Sequence, residues 1–260
     1  MTATTDGEVR PAHLPSLRTP GTRILNVMRL HKTNPYTLLV LPWIIMGGIL
    51  AINIAIWVIV NIAAGPTGMH SAEKGLQYSG AGFWPFVYFV VGAVQAINIT
   101  FALALGYGMT RRDYYLGTAA FFVILAALFA VGMAILGVIE QATNGWFLGG
   151  HMFTAIYFGP NWWTRLLVFF FGFLFCLFSG SGFAAIWVRW KVTGLVIAFG
   201  TLAALIIAAI AVLTFTGTWP VVGGAVLDGG PLVLTAWLLI PAGLSAIAGF
   251  FILRRATPRS

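Results

Sequence analysis

Long stretches without a charged residue constrain this 260-residue chain more than any other feature of its sequence. A helix needs about 20 apolar residues to cross the hydrocarbon core of a bilayer, and each stretch is long enough to supply them. Charged residues make up only 8% of the chain and hydrophobic residues 60%, which leaves too few charges to cover a soluble domain. The composition therefore excludes a soluble enzyme and a disordered chain, and it predicts a multi-pass membrane protein. The uncharged stretches are residues 33–72, 75–110, 114–139, 141–164, 166–188, 192–227 and 229–253.

Apolar content within these stretches predicts an all-α domain of six transmembrane helices over residues 35–254. Residues 141–164 combine Gln, Asn, Gly and Pro with three tryptophans, which is typical of an interfacial segment at headgroup level. A seventh span or a re-entrant segment remains an alternative there. Residues 64–83 and 216–231 are expected to be Gly- and Pro-rich external loops. The six helices are predicted at about 37–63, 84–105, 115–139, 166–188, 194–215 and 232–253.

The basic residues predict the orientation. With six spans, twelve of the fourteen Lys and Arg residues fall on one side of the membrane, and only Lys74 and Arg165 fall on the other. The positive-inside rule then places both termini in the cytoplasm, with a short C-terminal tail at 255–260. Because the basic residues flank apolar segments, the net charge of +8 reflects topology, and no nucleic-acid partner is expected.

The N-terminal segment is predicted to be a disordered tail at 1–19 followed by an amphipathic helix at 20–34. Ile24, Val27 and Met28 share one face of that helix, and basic residues lie on the opposite arc. We expect it to lie along the cytoplasmic membrane surface, in contact with anionic lipid. A soluble juxtamembrane helix or a loop is the alternative.

The predicted spans lack the groups that most ion-coupled carriers use. No Asp, Glu, Lys, Arg or His lies near the middle of any predicted helix, and Glu140 falls at the external end of the third. The chain has no P-loop motif and a single cysteine, Cys176, so we predict no catalytic residue, no metal site and no cofactor in this chain. Energy for uphill transport would have to come from another polypeptide.

A few uncharged polar or small residues do lie within the predicted helices. Asn53, Gln95 and Asn98 are candidates either for hydrogen bonds between helices or for the lining of a substrate path. Gly180 and Gly182 are interpreted as points of close helix packing.

The connection between the second and third helices carries the one dense polar motif between the two tails, G-M-T-R-R-D-Y-Y-L-G at 108–117. Gly108 allows the chain to leave the second helix. Thr110 is placed to cap a short helix, with Asp113 at the third helical position complementing that cap.

The remaining polar side chains of the motif suit a contact surface. Arg111 and Arg112 offer forked donors to acidic or carbonyl partners, and Tyr114 and Tyr115 suit the membrane interface. On composition alone, a basic loop with aromatic anchors is the favoured interpretation of the motif.

The run at 108–117 resembles the first cytoplasmic loop of bacterial ABC-2-type exporter permeases, in which a small-x-[ST]-R-[RK]-[DE]-[FY]-[FY]-x-G pattern follows the second helix. The resemblance implies a bacterial plasma-membrane location and a coupling helix that docks on a separate ABC ATPase subunit holding ATP and Mg²⁺. It also implies a homo- or heterodimer with a second permease chain. The residues to which it assigns contact roles are Gly108, Thr110, Arg111, Arg112, Asp113 and Tyr114.

The function expected from the resemblance is ATP-driven export of an amphipathic or hydrophobic substrate such as a drug, a peptide antibiotic or a lipid-like molecule. The alternatives are a secondary transporter or channel, which needs no ATPase, and a membrane scaffold subunit that transports nothing.

Overall fold

The computed structural model describes residues 36–255 and Val27, without the side chains of residues 66–73 and 226–227. Of the residues that the structure describes, 90% are helical and none forms a strand. The structure therefore confirms an all-α membrane protein with several spans. The helices are α1 (Leu41–Leu76), α2 (Trp84–Gly106), α3 (Arg111–Ala142), α4 (Trp162–Phe215), α5 (Trp219–Trp237) and α6 (Leu239–Arg255).

Five helical segments are long and apolar enough to cross a bilayer within the described part of the chain. The amphipathic helix predicted at 20–34 and both tails lie outside that part, except for Val27, which is fully buried, and Arg255. The five segments are Tyr36–Gly65, Lys74–Gly106, Arg111–Ala142, Trp162–Phe215 and Asp228–Arg255.

Helix α4 contains a reversal of the chain. Its 54 residues would extend about 81 Å as one straight helix, far more than a bilayer core of about 30 Å. Lys191 interrupts the helix with φ 55° and ψ −141°. In a straight helix Phe183 and Phe199 would lie about 24 Å apart along the axis, yet their stacked rings have centroids 5.0 Å apart. The chain therefore folds back at Lys191.

The two loops predicted at 64–83 and 216–231 are mostly helical, so those predictions are wrong. Helix α1 bends at Gly65 (φ 60°) and continues as a helix to Leu76, and α5 bends at Gly230 (φ 64°). Proline is compatible with the first turn of a helix, and glycine supplies the left-handed residue at each bend. Gly and Pro therefore mark bends between helical pieces in both regions.

The core is an aromatic cluster between α1, α2, α3 and the first half of α4. Phe89 meets the rings of Phe129 and Phe173 edge-to-face, with centroids 4.6 and 5.3 Å apart. Trp43 of α1 stacks on Phe129 at 4.8 Å. Such ring pairs add about 0.5–1.5 kcal/mol each beyond the area that they bury.

Close packing at the two α4 glycines is confirmed. A Cβ added at Gly180 would lie 2.6 Å from the carbonyl oxygen of Val90 in α2, and one at Gly182 would lie 3.3 Å from Cβ of Ser245 in α6. Helix α4 therefore packs against α2 on one side and α6 on the other. The absence of a side chain at both glycines permits this close approach.

Residues 143–161 form an irregular loop between α3 and α4, here called the α3–α4 loop, and no candidate span includes them. Two residues of α1, Trp57 and Asn61, hold this loop in place. The amide Nδ2 of Asn61 donates to the carbonyl of Leu148 at 3.0 Å. A Cβ added at Gly150 would lie 2.3 Å from the ring of Trp57, so only glycine fits at this contact.

Candidate functional site

Helix α2 ends in a glycine cap. Gly108 adopts φ 72°, and its N–H donates to the carbonyl of Leu105 at 3.0 Å. The N–H of Met109 donates to the carbonyl of Ala104 at 3.1 Å, which completes a Schellman motif. The open space around Gly108 shows that backbone conformation, rather than crowding, requires glycine here.

Thr110 caps α3 as its sequence position predicts. Its Oγ1 accepts a hydrogen bond of 3.1 Å from the N–H of Asp113, which lies in the first helical turn. Helix α3 begins at Arg111 and runs without interruption to Ala142. The short separate helix expected at 108–117 is therefore the α2–α3 turn followed by the first two turns of a long apolar helix.

The two arginines of the motif have different surroundings. Nη1 of Arg111 donates to the carbonyl oxygen of Arg254 at 2.9 Å, which joins the start of α3 to the end of α6. Arg112 is exposed. Arg112 is thus the arginine of this pair that is most available to a partner.

Tyr114 and Tyr115 are buried rather than interfacial, so the expectation that they anchor at headgroup level is wrong. Tyr114 is 0% exposed, and its hydroxyl is hydrogen-bonded to Oγ1 of Thr100 at 2.7 Å. The hydroxyl of Tyr115 donates to the carbonyl of Ala246 at 2.5 Å. Each phenol satisfies its polar group against a neighbouring helix and gains apolar burial. A direct partner contact by Tyr114 does not fit this position.

Together these contacts make the start of α3 a junction of three helices. Tyr114 ties it to α2, while Arg111 and Tyr115 tie it to α6. A force applied at Arg112 would therefore reach α2, α3 and α6 together. That is the mechanical property that a coupling element requires.

The three polar residues proposed for a substrate path do not form one cluster in the described contacts. Asn53 donates to the carbonyl of Ile49 in its own helix at 2.9 Å. Gln95 is exposed, and Oδ1 of Asn98 is buried without a hydrogen-bond partner. Among the residues that the structure describes, none of the three bonds to a neighbouring helix.

A second polar centre, which sequence reasoning missed, lies at the opposite end of α3. Glu140 is 0% exposed, and its carboxylate accepts hydrogen bonds from the consecutive N–H groups of Met152, Phe153 and Thr154 at 2.8–3.2 Å. The Thr154 hydroxyl donates at 2.6 Å and Nε1 of Trp146 at 3.0 Å. Five donor groups thus surround one buried carboxylate and fix the α3–α4 loop around it.

Arg165, in the first turn of α4, is a second buried charge beside this loop, with 2% of its surface exposed. Its guanidinium donates to the carbonyls of Gly159 and Pro160 at 3.0 and 2.6 Å, and to Oε1 of Gln141 at 3.1 Å. Both buried charges therefore hold the loop rather than face lipid, which is how a membrane protein compensates such groups.

A cavity of about 420 Å³ with a mixed polar and apolar lining lies between these groups. His151 borders it, with Nδ1 2.8 Å from the Thr154 hydroxyl oxygen. Because that hydroxyl donates its one proton to the Glu140 carboxylate, Nδ1 of His151 is the donor in this bond. Four of its lining side chains are already hydrogen-bonded around the loop, and the rest of the lining is mixed polar and apolar; the four are Glu140, Gln141, Thr154 and Arg165.

Comparison of the chain with protein-family models, with curated proteins and with solved structures finds no match.

Proposed function

We propose that the chain is the membrane-spanning permease subunit of an ATP-driven exporter, with the start of α3 as its coupling element. The proposal rests on the junction at Arg111–Tyr115. There the exposed Arg112 lies in the first turn of α3, which is hydrogen-bonded to both α2 and α6. The likeness of the 108–117 motif to the coupling loop of ABC-2-type permeases supports the same role.

The proposal includes six spans with both termini in the cytoplasm. Counting α4 as two antiparallel helices on either side of Lys191 raises the five segments to six. The Arg111–Arg254 contact supports this topology, because it joins the α2–α3 turn to the end of α6 at one face of the bundle. Both elements are basic, as cytoplasmic ends usually are.

Energy would enter from a separate ATPase subunit that holds ATP and Mg²⁺. The spans of the described chain carry their Asp, Glu, Lys and Arg residues at their ends or at the α4 reversal, so they offer no mid-membrane carboxylate for ion coupling. Glu140 is buried, but its carboxylate already accepts hydrogen bonds from five donor groups and holds the α3–α4 loop in place. Closure of the ATPase would push Arg112 and shift the bundle between two states.

A second permease chain, identical or related, would complete the pathway. The part of α4 after Lys191 is apolar, yet none of its residues is buried in the described structure. Because no residue of this half is buried by the described chain, lipid or a second chain must cover most of its surface.

The cargo would be amphipathic or hydrophobic. An apolar groove of about 500 Å³ opens between α3 and the start of α4, and its lining offers almost no polar surface. Its lining residues include Val131, Ile135, Ile139, Trp162 and Leu166. A groove of this chemistry suits an alkyl or aromatic group arriving from the bilayer.

The proposal is tested by purifying the tagged chain from its native membrane in mild detergent. We expect a P-loop ATPase to co-purify and to hydrolyse ATP, and vesicles holding both chains to accumulate an amphipathic dye only when ATP is supplied. Transport by the chain alone, driven by a proton gradient, would establish a secondary carrier. Stable association with a complex that has no ATPase would establish a scaffold role.

A further inference from the structure

The ends of α3 and α6 bring four arginines together at one face of the protein. Arg111 and Arg112 occupy the first turn of α3, and Arg254 and Arg255 the last turn of α6. The 2.9 Å hydrogen bond from Arg111 to the Arg254 carbonyl holds the two turns in contact. These four residues are called the arginine patch.

The arginine patch has an excess of positive charge. Asp113 is the one acidic residue in these two helical turns. Arg112, Arg254 and Arg255 are exposed, so their guanidinium groups are accessible from outside the bundle. Like charges brought together repel, and a bound anion removes that cost.

The surroundings of the patch indicate which anion fits. Leu116 and Phe251 lie about one turn further into α3 and α6, and they are 41% and 54% exposed. Exposed apolar side chains one turn from exposed arginines match a phospholipid, whose phosphate lies at the helix ends and whose acyl chains lie alongside the helices. A free phosphate or an acidic protein surface would make no use of the apolar part.

We propose that the arginine patch binds the headgroup phosphate of an anionic phospholipid, and that the lipid steadies the contact between α3 and α6. Guanidinium groups suit phosphate because they donate two parallel hydrogen bonds to its oxygens. The patch shares Arg112 with the proposed ATPase contact, but lipid binding by the purified chain needs only the bundle and a lipid, so it is measured without ATP-driven transport.

The test uses the full chain purified in detergent, with dioleoylphosphatidylglycerol as the probe and dioleoylphosphatidylcholine as the neutral comparison. Lipid retention is measured by native mass spectrometry. We expect wild-type protein to retain phosphatidylglycerol preferentially, and the double variant R254Q/R255Q to bind it roughly 25-fold more weakly, about fivefold for each arginine removed. The control R189Q/K191Q removes two basic residues at the α4 reversal and should retain the lipid as wild type does.

Three outcomes would overturn the proposal: equal retention of the two lipids by wild type, undiminished binding by R254Q/R255Q, or equal losses in the control. Displacement of the lipid by millimolar inorganic phosphate would also overturn it, since the site would then recognise a free anion. If R254Q/R255Q elutes as aggregate, the single variant Arg112→Gln at an exposed position replaces it, with an expected fivefold loss.

Discussion

The Arg111 guanidinium lies 2.9 Å from the carbonyl oxygen of Arg254, so the first turn of α3 caps the last turn of α6. The carbonyls at the end of a helix have no partner within the helix, and a cation that donates to one of them also offsets the helix dipole. This contact connects the α2–α3 turn to the C-terminal helix across most of the sequence.

Replacing Arg111 with alanine should loosen the end of α6. Because this charged hydrogen bond is exposed and screened by water, it contributes up to about 1 kcal/mol, so we expect amide hydrogens near Arg254 to exchange up to about fivefold faster. Hydrogen exchange with mass spectrometry measures this directly. Arg189→Ala, at the exposed α4 reversal and outside this contact, is the control and should leave the exchange unchanged. Equal exchange in both variants would refute the connection.

Glu140→Gln should destabilise the α3–α4 loop strongly. The amide NH₂ would replace an acceptor oxygen in a site that supplies only donors, so at least one buried donor loses its partner. We expect a loss of about 3 kcal/mol in the free energy of unfolding, read from denaturant unfolding in detergent. Asp228→Asn, at an exposed acid, should change it by less than about 0.5 kcal/mol. A stable Glu140→Gln protein would mean that the carboxylate does not hold the loop.

Gly132→Ala should disturb the contact between α1 and α3. The added Cβ would lie 2.3 Å from the ring of Trp43, which itself stacks on Phe129. We expect a loss of about 1–3 kcal/mol in thermal or denaturant unfolding. Gly48→Ala, also in a helix but with nothing within 4 Å, should stabilise by up to about 1 kcal/mol. Equal effects of the two substitutions would contradict the packing described here.

Arg112→Glu should separate ATP hydrolysis from transport while leaving the fold intact. Arg112 is exposed, so charge reversal should cost less than about 0.5 kcal/mol in stability, whereas it would place a repulsive charge at the ATPase contact. The measurement is the ratio of dye transported to ATP hydrolysed in vesicles. Arg189→Glu, at the other basic turn, should keep the wild-type ratio, and an unchanged ratio in Arg112→Glu would remove the coupling role.

The sequence predicted much of the helical layout, because apolar length and capping chemistry are local properties. The end of α2 near Gly108 and the cap at Thr110 follow from the residues themselves. The boundary at Lys191 was also predictable, since two basic residues interrupt an apolar run. The reversal there, in contrast, is established by the stacking of Phe183 on Phe199.

The Glu140 centre was not predicted, because its donors come from a loop whose shape depends on α1 and α4. One local signal pointed to it: Glu140 lies in the last turn of α3 and Arg165 near the start of α4, each at the helix end whose dipole disfavours its charge. Such placements indicate that nearby groups compensate the charge. The burial of Tyr114 was missed for a similar reason, since its partner Thr100 lies in the preceding helix.

Site-specific photo-crosslinking can determine whether Arg112 faces a cytoplasmic ATPase, as we propose. A photoreactive amino acid at position 112, activated in intact cells of the native host, should yield one major adduct that contains a P-loop ATPase. The same amino acid at Phe147, an exposed position on the α3–α4 loop, should yield no such adduct. Modification of a cysteine at position 112 by a membrane-impermeant reagent added outside intact cells, with no ATPase adduct, would rule out a cytoplasmic ATPase contact at Arg112.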